Sequence, residues 1–207
     1  MEFKLEEITL SGDLKLVDQS QKLVIFAHGS GSSRLSPRNQ FVAKQLNKSG
    51  IGTLLFDLLT KEEEVEDNIT REHRFNISLL AERLVKVTKY THEKYPNYRI
   101  GLFGSSTGAA AALIASVLLK DVVYAVISRG GRPDLAEKIL DQVSAPTLLI
   151  VGGLDTQIIE MNKFALSKLV CDKRLEIVKG ATHLFEEEGK LEEVTNLSIQ
   201  WMLKYLS

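Results

Sequence analysis

The chain has little of what would cross-link it or tie it to a charged partner. Its 207 residues include one cysteine, Cys171, so no disulfide can form within it, which suits a reducing compartment. Neither sign of charge dominates. Lysine and arginine number 26 against 27 acidic residues, a formal net charge of −1, and that balance supplies no electrostatic case for nucleic acid or an anionic membrane surface. No apolar run approaches the roughly 18 residues a spanning helix needs. The charged start Met1-Glu2-Phe3-Lys4-Leu5-Glu6-Glu7 has no apolar leader segment. Internal repeats, low-complexity tracts and long linkers are missing too. The expectation is a soluble cytoplasmic protein, monomeric or homodimeric, with no membrane or nucleic-acid partner, folded as one domain over residues 1–207.

What is present is a regular alternation. Residues 3–18 hold two short β-like runs around Ser11-Gly12-Asp13, which predicts an antiparallel edge hairpin turning there. Five short runs are apolar without alternation: Leu23-Val24-Ile25-Phe26-Ala27, Thr53-Leu54-Leu55-Phe56, Ile100-Gly101-Leu102-Phe103, residues 122–127 and 147–151. A strand apolar on both faces is buried on both faces, as in a parallel sheet covered by helices. Leu175-Glu176-Ile177-Val178 is a weaker last strand. Helical periodicity fills the intervals near 37–48, 76–95, 107–119, 133–141 and 157–169. Leu191, Val194, Leu197, Trp201 and Tyr205 mark the core-facing stripe of a terminal helix. The expected fold is a doubly wound α/β sheet, whose ligands bind at the carboxyl ends of the strands.

At those ends the chemistry-bearing residues gather. Gly104-Ser105-Ser106-Thr107-Gly108 fits G-x-S-x-G, a serine held up on a tight strand-to-helix turn. Alone, the pattern is more often an inert glycine turn than a nucleophile. His28-Gly29-Ser30-Gly31-Ser32-Ser33 follows the first long strand, Asp57 and the acidic run 62–67 the second, and Ser128-Arg129-Gly130-Gly131-Arg132-Pro133 the fourth. The acidic run is expected to be a solvated loop. Gly152-Gly153-Leu154-Asp155 follows the fifth, and Gly180-Ala181-Thr182-His183 the last.

Ser106, Asp155 and His183 thus appear in the order serine, acid, histidine. A neutral imidazole can take the serine proton and hand it to a leaving group, while a carboxylate fixes its tautomer. The amides of Ser30 and Thr107 are the expected oxyanion donors. Asp134 competes with Asp155 for the acid. Ser105 competes with Ser106, with the pattern favouring Ser106. His73 and His92 read as solvated, and His28 as an organiser of its loop that could also meet substrate. Arg129 and Arg132 either bind an anionic substrate group or sit at the surface paired with Asp134 or the acidic run. The set calls for no metal or cofactor.

Taken together, His28-Gly29-Ser30-Gly31, the Gly104–Gly108 elbow, Gly153-Leu154-Asp155 and Gly180-Ala181-Thr182-His183-Leu184-Phe185 resemble the α/β-hydrolase superfamily, within it the dienelactone hydrolase-like group. The resemblance implies a three-layer sandwich with an antiparallel N-terminal edge and hydrolysis of a small-molecule ester through an acyl-enzyme. It departs in having serine where dienelactone hydrolases proper carry cysteine, which shifts the expectation toward a carboxylesterase. The short chain leaves no room for a cap domain, so any cover comes from residues 57–75 and 128–134. A hydrolase-fold protein that binds a ligand or partner without catalysis is the competing expectation.

Overall fold

The structure, a computed structural model, describes residues 1–5 and 8–207. Eight strands form one sheet in the order β1-β2-β4-β3-β5-β6-β7-β8. These are β1 (Glu2–Leu5), β2 (Ile8–Lys15), β3 (Lys22–Ala27), β4 (Gly52–Phe56), β5 (Arg99–Ser105), β6 (Val123–Arg129), β7 (Thr147–Gly152) and β8 (Lys173–Val178). From β4 to β8 every neighbouring pair is parallel. β2 joins antiparallel to both β1 and β4.

The antiparallel edge is there, but not its expected turn. Ser11, Gly12 and Asp13 lie inside β2, which changes partner at that point: Ile8 to Ser11 face β1, and Gly12 to Lys15 face β4. Glycine is needed at 12 for packing rather than for a turn, because a Cβ there would come within 2.6 Å of the Phe3 ring. The connection between β1 and β2 falls on residues 6 and 7, outside the described residues.

Helices cover both faces. α1 (Pro37–Lys48) and α6 (Lys190–Tyr205) pack on one; α3 (Ile77–Lys94), α4 (Thr107–Leu118) and α5 (Thr156–Lys168) lie on the other. Strand alternation splits the core accordingly. Val24, Phe26, Phe103, Ala125 and Ile127 face α1 and α6, while Ile25, Leu102 and Val126 face α3 and α4. Trp201 is a core residue of the first face, as its place in the terminal stripe predicted. A 3₁₀ stretch, Pro133–Gln142, replaces the short helix expected there and is kinked at Ala136.

Residues 62–67 are not a solvated loop. They belong to α2 (Lys61–Thr70), which opens on a capping box: Thr60 accepts from the Glu63 amide, and the Glu63 carboxylate takes the Thr60 N–H. The spacing Thr60-x-x-Glu63 was legible in the sequence, and the dense charge masked it. One acid of the run, Asp67, is buried and ion-paired to Arg74 at 2.6 Å. α2 and a 3₁₀ turn, His73–Phe75, are the cover at the carboxyl edge of the sheet.

Phe103 lies three residues before Ser106, fully buried and stacked on Phe26 with ring centroids 4.7 Å apart. Phe103→Ala is expected to cost about 3–5 kcal/mol of stability, read by urea denaturation.

Candidate active site

Strand β5 delivers the candidate nucleophile. Ser106 has φ +50° and ψ −119°, a conformation non-glycine residues rarely hold. Closeness enforces it. A Cβ on Gly104 would run into the backbone of Gly108 and Ala109, and one on Gly108 into the carbonyl oxygens of Ala27 and His28. Ser106 also occupies the N-cap position of α4, yet its hydroxyl does not cap the helix. Among the described residues its Oγ makes no hydrogen bond, so it is left free for chemistry.

Asp155 likewise stands at a helix N-cap, that of α5, and likewise does not cap. Asp ordinarily accepts from the first-turn amides at that position. Here its Oδ2 lies 2.6 Å from His183 Nδ1 instead. Asp134, the alternative acid, is taken up by Arg132, with contacts of 2.9 Å and 2.7 Å from Nε and Nη2. The structure therefore brings Asp155, and not Asp134, to the histidine.

The His183 loop is anchored on both sides. Leu154 N–H donates to Ala181 O at 2.9 Å, the Glu187 carboxylate accepts from Thr182 N–H, and Phe185 is buried against α6 residues. Gly130, at φ +51°, packs on the imidazole: a Cβ there would lie 3.4 Å from His183 Cε1. The same loop brackets the elbow. Ser106 N–H donates to Arg129 O at 3.2 Å, and Arg132 N–H donates to Ser106 O at 3.1 Å. Buried Asn162 of α5 holds this loop through Gly131 O at 3.0 Å. No hydrogen bond joins Ser106 Oγ to His183 in this structure.

Gly29 passes against the elbow, its Cβ position 3.1 Å from Ser106 Cβ. Ser30 Oγ and Thr107 Oγ1 are 3.2 Å apart, tying together the two segments whose amides were expected to point at one oxyanion. Neither amide is engaged by another group among the described residues. The loop is tethered at its far end, where both Arg34 N–H and its guanidinium bind Asp57.

His28 organises this loop from below. Leu58 N–H donates to its Nε2 at 3.0 Å, so Nδ1 carries the hydrogen and donates to Gly29 O at 3.0 Å. With both ring nitrogens taken, the ring is not free to bind a substrate group. Burial lowers its pKa below 6.5, outweighing the Gly29 carbonyl and the charges of Asp57 and Glu64, which push it up.

A cleft opens beside Ser30, between the 28–33 loop, Leu58, Leu59 and Leu80, and the Asp67, Asn68 and Arg74 side chains. Arg74 was not anticipated. Its Nη1 sits 3.0 Å from the Cβ position of Gly31, and nothing in the local sequence marks it, because the 3₁₀ turn after α2 and its bonds to Asp67 bring it there. Of the two arginines expected near substrate, Arg132 is held by Asp134. Arg129 is buried, with Nη2 toward Asn39 of α1, and it does not line the cleft. It is not the surface residue of the alternative expectation either. Of the remaining histidines, His73 is partly shielded beside Glu66, 3.2 Å away, and His92 is half-buried rather than solvated. Among the described residues, no group of three or more His, Cys, Asp or Glu could hold a metal ion. No helix there is long and apolar enough to cross a membrane.

A family model described as an alpha/beta hydrolase domain matches residues 20–206. The chain is similar to the crystal structure of a dienelactone hydrolase from Anabaena variabilis, at 49% identity and a TM-score of 0.98, covering 100% of this chain and 97% of that one. Est1E from Butyrivibrio proteoclasticus, solved with ferulic acid bound, superposes with a TM-score of 0.85 at 17% identity over 99% and 98% of the two chains. That likeness shows the fold alone. Two Mycobacterium tuberculosis proteins, each provisionally named a phosphoribosyl transferase, are 48% identical over 201 residues. The match takes in 96% of this chain and 44% of each relative, so the chain spans less than half the length of these curated relatives.

The His28 shift has a sign. Below about pH 6.5 the unfolded chain takes up a proton at His28 that the folded chain refuses, so acid favours unfolding. Between pH 6.5 and the lowered folded value, stability is expected to fall by up to about 1.4 kcal/mol per pH unit from this residue. Urea titrations across that range, compared with His28→Gln, should show the variant with the shallower slope.

Proposed function

The chain belongs to the alpha/beta hydrolase domain family, and on that premise we propose that it is a serine-dependent hydrolase of small carboxylic esters or thioesters. One observation carries the reading. The Asp155 carboxylate is turned away from its own helix and onto His183 Nδ1 at 2.6 Å, facing an elbow whose serine hydroxyl is left free. The Asp155 contact leaves Nε2 of a neutral His183 as the basic nitrogen.

In the proposed cycle Ser106 Oγ attacks the acyl carbon as His183 Nε2 takes its proton. The carbonyl oxygen becomes an oxyanion facing the Thr107 and Ser30 amides. Collapse breaks the bond to the leaving oxygen or sulfur, which receives the proton from His183, and an acyl-Ser106 ester remains. Water, deprotonated by the same nitrogen, cleaves that ester and returns the proton to Ser106. The Ser106–His183 contact is open here and closes when substrate is bound, as catalytic hydrogen bonds commonly do.

The cleft's charges are already paired. Asp57 is taken by Arg34, Asp67 by Arg74, and His28 is neutral; Glu64 alone brings an unpaired charge to the lining. Such a lining favours neutral over anionic acyl or alcohol groups. The phosphoribosyl transferase name belongs to chains of which more than half lies outside the match, and it gives no ground for assigning that reaction to this stretch.

A fluorophosphonate probe should label the wild type at Ser106 and leave Ser106→Ala unlabelled. On a p-nitrophenyl ester, Ser106→Ala should lose roughly 10⁵–10⁶ in kcat, and Asp155→Asn roughly 10⁴. A folded wild type that neither labels nor turns over any ester in a panel would instead support a hydrolase-fold binding protein. Within the panel, kcat/KM should be higher for neutral esters than for analogues of equal length bearing a carboxylate; the reverse order would refute the reading of the cleft.

A further inference from the structure

The opposite face of the elbow carries a buried cation that the proposed reaction does not use. Arg129 ends β6, with 7% of its surface exposed, in register with Ser105 of β5. Alternation along β6 places Ala125, Ile127 and Arg129 on the face covered by α1 and α6. Its Nη2 donates to Asn39 Oδ1 at 3.4 Å, an oxygen that also accepts from Ser105 Oγ at 3.1 Å. Its Nε and Nη1 are buried and have no hydrogen-bond partner. Among the described residues no carboxylate forms an ion pair with it.

The charge that acts on Arg129 has the same sign. Burial first, and the like charge of Arg38 after it, bring its pKa down to about 10. At neutral pH the guanidinium is still ionised. Arg38 itself binds Glu186 through Nη1 at 2.9 Å, while its Nε is also buried and unpartnered. Arg38 and Asn39 belong to the first turn of α1, behind Ser36 at the N-cap and Pro37, and that turn holds no acidic residue. The positive end of a 12-residue helix therefore adds to the same field. A buried cation with no counter-ion is among the costliest arrangements a protein interior can hold.

We propose that the junction of Arg129, Arg38 and the first turn of α1 is an anion site, taking one small monovalent anion of halide size against Nε and Nη1 of Arg129. A small ion suits the enclosure of the junction, where Asn39 and Ser105 are each 2% exposed. The anion would lock α1 onto β5 and β6 beneath the elbow. The site is separate from the ester chemistry, and its test does not depend on any activity.

Thermal unfolding is followed in sodium chloride titrated against sodium gluconate at constant ionic strength. The wild-type Tm should rise with chloride by about 5 °C and saturate. Arg129→Met should lose the response and unfold no lower than wild type in gluconate, because the charge it removes has no partner there. Asn39→Asp places a carboxylate beside Nη2; it should flatten the chloride response and raise the Tm in gluconate, which decides the matter if Arg129→Met fails to fold. A wild-type Tm indifferent to chloride, as for a guanidinium satisfied by water, overturns the proposal. So does an undiminished chloride response in Asn39→Asp.

Discussion

Helix α4 lies so close to β3 that the missing side chain of Gly108 faces the carbonyl oxygens of Ala27 and His28. The carboxyl edge of the sheet is arranged around that approach. It leaves Ser106 only a left-handed conformation, and it brings Thr107 beside Ser30. It also sets the elbow against the 28–33 loop, so the strain at Ser106 is sustained by packing on every side rather than by one contact. Buried alanines 109–112 continue the same logic along α4, since larger side chains would hold the helix off the sheet.

The second constraint is the loop after β6. Its backbone binds the N–H and the C=O of Ser106, through Arg129 O and Arg132 N–H, and its Gly130 is the surface on which the His183 ring rests. The separation of serine and histidine is thus set by a segment that contributes neither. Asn162 secures that segment from α5, the helix whose N-cap residue, Asp155, orients the histidine. One helix therefore positions the acid and braces the spacer together.

Electrostatically, the site is quiet on the cleft side. Asp57 is paired with Arg34, Asp67 with Arg74, and His28 is neutral, so Glu64 is the unpaired charge among the described residues lining the cleft beside Ser30. The exception is behind the elbow, where Arg129 is ionised, buried and, among the described residues, not ion-paired to a carboxylate. Sheet alternation accounts for the contrast: odd-numbered residues of β6 face α1 and α6, so a strand-end arginine can be adjacent to the elbow in sequence register and still be turned away from the cleft.

The sequence by itself determined whatever depends on local pattern. Continuous apolar runs require burial on both faces, so the parallel sheet was legible, and so were α1 and α3 nearly to the residue. Gly104 and Gly108 around Ser106 announced a turn too tight for side chains, and Asp155 and His183 could be placed at later strand ends by counting strands. Tertiary structure decided what depends on which surface a residue meets. Gly12 looked like a turn because glycine often makes one, but the Phe3 ring is what requires it. Asp134 and Asp155 are both acids beside a strand-end loop; the Gly152-Gly153 turn favours Asp155, but only the fold puts one on His183 and the other on Arg132. Arg74 reaches the cleft through the 3₁₀ turn after α2, and Arg129 leaves it through the pleat of β6. Local spacing dictates backbone shape and burial, whereas the partner of a charged side chain is set by segments distant in the chain, which only the folded register brings together.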